Sequence, residues 1–352
     1  MIVERPLTDG TIALLNLSAQ IDAVELEVRL GLATVETRAG LVELLLLRGM
    51  IVGRIADYER AEGIAEQLVR DASADAKALL ARARTRACFH RFNDALSDID
   101  RAEELSLDAE TANGERAAIF QALGRYDEAL ALREEAAGRQ ASFENVAALV
   151  GLHAERGEVE AAEQRYSESR SRYRGVSPFP LALLAFQMGL MWMNEGELED
   201  ARGSFEAAQR RLPSYAPARG HLAEVEAELG ETDSATDRLQ ALALTSDDPD
   251  YAAQLARILA NVGHHTEARH WSRLAAAHFD ELLARRPEAF ADHAAEFWLA
   301  AGADPDKALR LAKMNVEGRN TPRARGLLAK AIAANRPGRG VAAHAITIGV
   351  HS

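Results

Sequence analysis

The chain has 352 residues, 48% hydrophobic and 27% charged, so it can bury a large apolar surface, yet aromatic residues make up only 5%. Its 54 acidic residues outnumber 41 basic ones, and the formal charge of -13 opposes attraction to nucleic acid or anionic membrane surfaces. The single cysteine, Cys88, excludes an intramolecular disulfide framework and a cysteine-based zinc site, and is expected to be a small buried hydrophobe in a reducing compartment.

In chain order, the start Met1 to Pro6 has no basic stretch leading into an apolar one, so no secretion signal is expected and the cytoplasm is the default location. Residues 11–33 are predicted to form one or two helices, with Leu14, Leu17, Ile21, Val24 and Val28 on one apolar face. This N-terminal cap is taken to span residues 1–40. The longest apolar run, Leu181 to Phe186, is too short to cross a bilayer, and no membrane insertion is expected.

From residue 41 a phrase recurs in which a turn residue is followed by acidic residues and an alanine. The alanines are Ala61, Ala95, Ala129, Ala162, Ala201, Ala235, Ala268 and Ala308, at steps of 34, 34, 33, 39, 34, 33 and 40. Such steps cluster at the period of a helix-turn-helix repeat. Glycines five residues earlier, at 124, 157, 196, 230 and 263, suit a left-handed helix end, and the acids then favour the start of the next helix. Twelve residues before the alanine, Gly49, Ala83, Ala117, Gly189, Ala223 and Ala256 permit close helix approach, whereas Val150 and Glu296 interrupt the pattern. Seven residues after it, Ala102, Ala136, Ala208 and Ala275 are small, while Leu68, Ser169, Leu242 and Asn315 are expected to mark looser packing.

This pattern resembles the tetratricopeptide repeat family over about residues 41–316. The clearest copy is Met188-Gly189, Trp192, Ala201, Phe205, Ala208 and Pro213. The first two copies depart from the family by placing Ala56 and His90 where the turn glycine stands, and most copies lack the closing proline. The last copy has one extra turn residue, which would move its small position to Ala295. The long steps predict a longer loop around Arg170 to Pro180 and a longer helix within Trp271 to Pro287. A capping helix is expected within residues 317–335. A tail, 336–352, follows the breaker Arg336 to Gly340, with Ile346, Ile348 and Val350 alternating as in a strand. The resemblance implies an all-α fold, an α-solenoid wound as a right-handed superhelix of about eight repeats.

No phosphate-binding glycine loop, dinucleotide fingerprint, nucleophile elbow or zinc-protease helix occurs, so no catalytic residue, cofactor or metal ligand is assigned and no enzyme is expected. His264, His265 and His270 beside Glu267 are read as solvated turn histidines. Arg82, Arg84, Arg86 and Arg91 are read as surface charges paired with acids. By the family alignment, in which the first helix of each pair lines the concave groove, Arg54, Lys77 and Arg84 face inward as a cationic spot for an acidic peptide. They do not reproduce the carboxylate clamp of chaperone-binding relatives. The same alignment places Leu183, Phe186, Leu190 and Met193 along the groove, either as a partner-binding stripe or as core.

The expected function is a non-catalytic scaffold or adaptor that holds a protein or peptide partner in this groove. A ligand-responsive regulator that senses a peptide or small molecule is the alternative. The apolar tail is expected to be disordered or to dock in such a groove, its own or that of a second copy, giving self-association.

Overall fold

The computed structural model describes residues 6–336, so the tail segment with Ile346, Ile348 and Val350 lies outside the described residues. Among the described residues there are eighteen α-helices. These are α1 (Gly10–Arg29), α2 (Val35–Val52), α3 (Ile55–Asp71), α4 (Ala76–Cys88), α5 (Phe92–Glu104) and α6 (Ala109–Ala122). There follow α7 (Tyr126–Arg139), α8 (Phe143–Glu155), α9 (Val159–Arg172), α10 (Phe179–Glu195), α11 (Leu198–Arg211) and α12 (Ala216–Glu228). The last six are α13 (Thr232–Thr245), α14 (Pro249–Asn261), α15 (His265–Arg285), α16 (Pro287–Leu299), α17 (Pro305–Gly318) and α18 (Pro322–Ala334).

The predicted N-terminal segment is one helix, begun by Asp9, whose carboxylate accepts from the backbone N–H groups of Thr11 and Ile12 at 2.9 and 3.2 Å. Leu17 and Ile21 of α1 are buried in the same cluster as Leu41 and Leu45 of α2. From α2 onward each even-numbered helix packs on the odd-numbered helix that follows, giving eight pairs, and α18 closes the stack against α16 and α17. The long helix expected near Trp271 is the 21-residue α15, and the long loop joins α9 to α10.

The eight marker alanines are all buried. Opposite Ala201, a Cβ at Gly189 would stand 2.5 Å from the Phe205 ring, so this crossing admits only glycine. In the last pair Ala295 is buried and Glu296 is not, which fixes the register that the extra turn residue had displaced. The looser packing expected at Leu68, Ser169, Leu242 and Asn315 is not observed. All four are buried, the serine hydroxyl being satisfied by donation to the Tyr166 carbonyl at 3.0 Å.

The turn demands a left-handed residue whatever its identity. His90 (φ 57°) and Ala303 (φ 51°) adopt it where other repeats use glycine, and in the first pair Gly53 (φ 64°) supplies it instead of Ala56. Three buried carboxylates are each gripped by a two-point arginine: Asp57 by Arg48, Asp98 by Arg82 and Glu226 by Arg238.

The solenoid also touches itself one superhelical turn later. Gly10 abuts Arg211 to Pro213, and the α2–α3 turn meets Ser246 and Asp247, with the Ser246 hydroxyl donating to the Gly53 carbonyl. His90 Nδ1 lies 3.0 Å from the Glu288 carbonyl, and Arg286 stacks 3.9 Å over Phe89 while pairing with Glu62 at 2.6 Å. Arg319 donates to the Ala122 carbonyl at 3.2 Å, and Gly124 faces the Asn320 carbonyl. The turn within each of the first three pairs therefore rests under the loop that follows the sixth, seventh and eighth. The turn-to-loop hydrogen bonds of this seam advance one repeat at a time, at separations of 191 to 198 residues.

Candidate functional site: the inner face

Successive even-numbered helices touch one another at α2–α4, α8–α10, α14–α16 and α16–α18, and no successive odd-numbered pair packs to that extent. The even helices therefore lie inside the curve, and α2 even reaches α12 across the interior.

Helix α10 starts with Pro180 near its N-terminus and ends at left-handed Gly196, and the predicted stripe Leu183, Phe186, Leu190 and Met193 is half-buried along it. The stripe divides in two. Leu183 and Phe186 pack against the cluster that joins α2 to α10 and α12. Phe186 also meets the rings of Phe205 at 5.7 Å, Tyr215 at 5.2 Å and His221 at 5.6 Å. Leu190 and Met193 instead rest on Phe205, Leu222 and Val225, near the exposed turn Asn194 to Glu197. On the neighbouring α8, Ala147, Gly151 and Ala154 are half-buried, and a Cβ at Gly151 would reach only the Gln187 side chain at 3.4 Å. The small residue Gly151 of α8 thus faces Gln187 on the neighbouring α10.

The three cations are arranged differently from the expected cationic spot. Arg54 is exposed and makes no ion pair with any described residue. Lys77 pairs with Glu36 at 2.7 Å, and Arg84 pairs with Glu115 at 2.7 Å and with Glu43. Arg84 and its two carboxylates come from α4, α2 and α6, so they do share an inner face, but acids from adjacent repeats neutralise it. Nearby, Cys88 is exposed rather than the buried hydrophobe expected, because the end of α4 turns it away from the helix contact. Surrounding protein still pushes its thiol up to about 11. The histidines 264, 265 and 270 are exposed, as read from the sequence.

A polar ladder further along the inner face escaped the sequence reading. His221 Nδ1 lies 2.8 Å from Glu224, and Arg257 lies 3.6 Å from the same carboxylate. His293 sits 3.5 Å from Asp250 and 4.0 Å from Asp292, Asp292 is 3.4 Å from Arg319, and Arg323 is 3.2 Å from Glu296. The proximity of Asp292, against the cost of burial and with help from Asp250, raises the His293 imidazole to about 10. Burial works against ionisation of Asp292, but His293, His90, Arg323 and Arg319 outweigh it and hold that carboxyl down to about 2. These residues come from separate repeats, and only the family alignment of inner positions, applied to α12, α14 and α16, would have collected them.

Residues 193–269, from the end of α10 into α15, match the tetratricopeptide repeat family. The chain carries tetratricopeptide repeats over those residues. Its tetratricopeptide fold is similar to that of the human IFIT1 dimer with m7Gppp-AAAA, at 16% identity and a TM-score of 0.55, covering 89% of this chain and 76% of that one. The Cut9–Hcn1 hetero-tetramer of the APC/C is 16% identical with a TM-score of 0.49, and there the match covers 89% of this chain and 52% of the other. The chain thus spans about half the length of that structure. A tetratricopeptide repeat protein from Parabacteroides merdae is 15% identical over 73% of this chain and 98% of its own, with a TM-score of 0.44. Likeness at these identities is one of fold. No curated protein matches the sequence. Among the described residues, no helix is long and apolar enough to cross a membrane.

Proposed function

We propose that this tetratricopeptide-repeat protein is a non-catalytic scaffold that holds a segment of a protein partner against its inner face. The observation that carries this reading is the open end of the α10 stripe, where half-buried Leu190 and Met193 rest on Phe205, Leu222 and Val225 beside the exposed turn Asn194 to Glu197. A flexible methionine and a leucine next to an exposed turn can accept side chains of varied shape. In this reading Leu183 and Phe186 form the floor of the site, exposed Arg54 takes a carboxylate of a bound chain, and Lys77 and Arg84 exchange their present carboxylates for others of that chain.

The alternative, a ligand-responsive regulator, draws on the seam. A ligand that favoured a wider superhelix would act against a small set of turn-to-turn contacts, and its differential affinity would set the response.

A photo-crosslinking residue placed at Leu190 or Met193, compared with one at the outer position Gln209, tests the scaffold reading in the native host. One predominant polypeptide adduct from the two inner positions is expected. Equal labelling from Gln209, or no adduct from any position, would overturn it.

A further inference from the structure

We propose that Glu160 and Glu163 of α9, with the adjoining α10–α11 turn, form a docking site for a partner-protein segment carrying two adjacent arginines. The inference concerns the edge of the solenoid, and does not depend on what the inner face binds.

The molecule contains an occupied version of this site. In the first pair, Glu59 and Glu62 of α3 stand two residues before and one residue after the marker Ala61, and they receive Arg285 and Arg286 from the seam. Arg285 lies 3.2 Å from Glu59, and Arg286 lies 2.6 Å from Glu62 and 3.7 Å from Glu59. The Arg286 guanidinium also covers Phe89, six residues before the next marker, Ala95.

The fourth pair repeats the acidic half of this arrangement. Around its marker Ala162, Glu160 and Glu163 take the same two offsets, both exposed and neither in an ion pair or hydrogen bond with a described residue. The place of Phe89 is taken by Glu195, which is exposed in the α10–α11 turn along with Glu197 and Glu199. Nearby arginines are committed elsewhere: Arg156 to Asp127 and Glu158, Arg165 to Glu168. Among the described residues the seam ends one repeat short of this edge, its last loop, Arg319 and Asn320, lying over Ala122 and Gly124.

Continuity with the seam, and negative charge that no described residue neutralises, therefore name the occupant. Arginine fits better than lysine because its planar fork can address two carboxylates at once, as Arg286 does. The overall charge of -13 would speed encounter with such a segment.

The test titrates the full-length chain with a fluorescein-labelled peptide of its own residues 281–290, which carries Arg285 and Arg286, and reads anisotropy. The unmodified chain should bind it, and the same peptide with both arginines changed to glutamine should not bind. E160Q/E163Q, at exposed positions where helicity should persist by circular dichroism, should weaken binding at least about tenfold, and the single reversal Glu163→Lys should do the same. The control E134Q/E135Q, which removes equal charge from α7, should leave binding unchanged. Equal losses in both double variants, or no binding by the unmodified chain, would overturn the proposal. So would binding that appears only after removal of residues 337–352, which would make the chain its own occupant.

Discussion

Asp247 caps a helix that begins 192 residues before it: its carboxylate accepts the Ile55 N–H at 2.5 Å, and its second oxygen accepts that of Ala56 at 2.9 Å. Arg54, the residue in the local capping position, offers no such bond. Helix α3 thus borrows its N-terminal cap from the next superhelical turn. Asp247→Ala should cost about 1 kcal/mol, the usual value of a lost cap. Hydrogen exchange at the first amides of α3 should quicken, and Asp247→Asn should retain most of the protection. Unchanged exchange in the alanine variant would show that the seam leaves α3 unsupported.

The tightest helix crossing gives a sharper test of register. Ala201 has no exposed surface, so Ala201→Glu would force a long charged side chain into filled space, at a cost of several kcal/mol. Gly189→Ala should cost roughly 1–3 kcal/mol by pressing on Phe205. Thermal denaturation of the two variants checks both values.

The inner ladder predicts a pH profile. His293 is raised from an ordinary value of 6.5 to about 10, so its contribution to stability is complete below 6.5 and fades as pH rises through about 10. Asp292 is lowered from 3.8 to about 2, so its contribution is present above 3.8 and fades as pH falls toward about 2. The melting temperature should therefore decline between pH 7 and 10, and His293→Asn should flatten that alkaline limb. An unaltered limb would remove His293 from the account.

The two halves of the α10 stripe should respond differently to truncation. Phe186→Ser removes a ring packed against three others and should cost about 2–4 kcal/mol. Met193→Ser, at the open end, should cost less than about 1 kcal/mol while reducing crosslinking to a partner. Similar losses of stability in the two would place Met193 in the core.

The repeat was legible because most pairs carry small residues at the same crossings, so Ala201, Gly189 and their counterparts print a period on the chain. The seam was not legible. It depends on small rotations accumulated over five repeats, and the residues that form it, such as Ser246, Asp247 and Arg319, look like any polar loop residue. The same blindness explains the site. The sequence placed Leu183 and Phe186 on the inner face, but their packing into a cluster that also takes in α2 is a product of the superhelical turn. Lys77 and Arg84 looked like a cationic spot because Glu36, Glu43 and Glu115 lie a full repeat away. Cys88 was misjudged because residue type outweighed its position at a helix end.

A solenoid in which each repeat touches only its neighbours lengthens and frays like an open spring, one unit at a time. Here the coils lie against one another, as in a spring compressed to its solid length. Removing the last three helix pairs would strip the bearing surface from the first three, although their own neighbours would remain intact. Melting should accordingly run as a joint event between the two ends of the chain rather than inward from a frayed terminus.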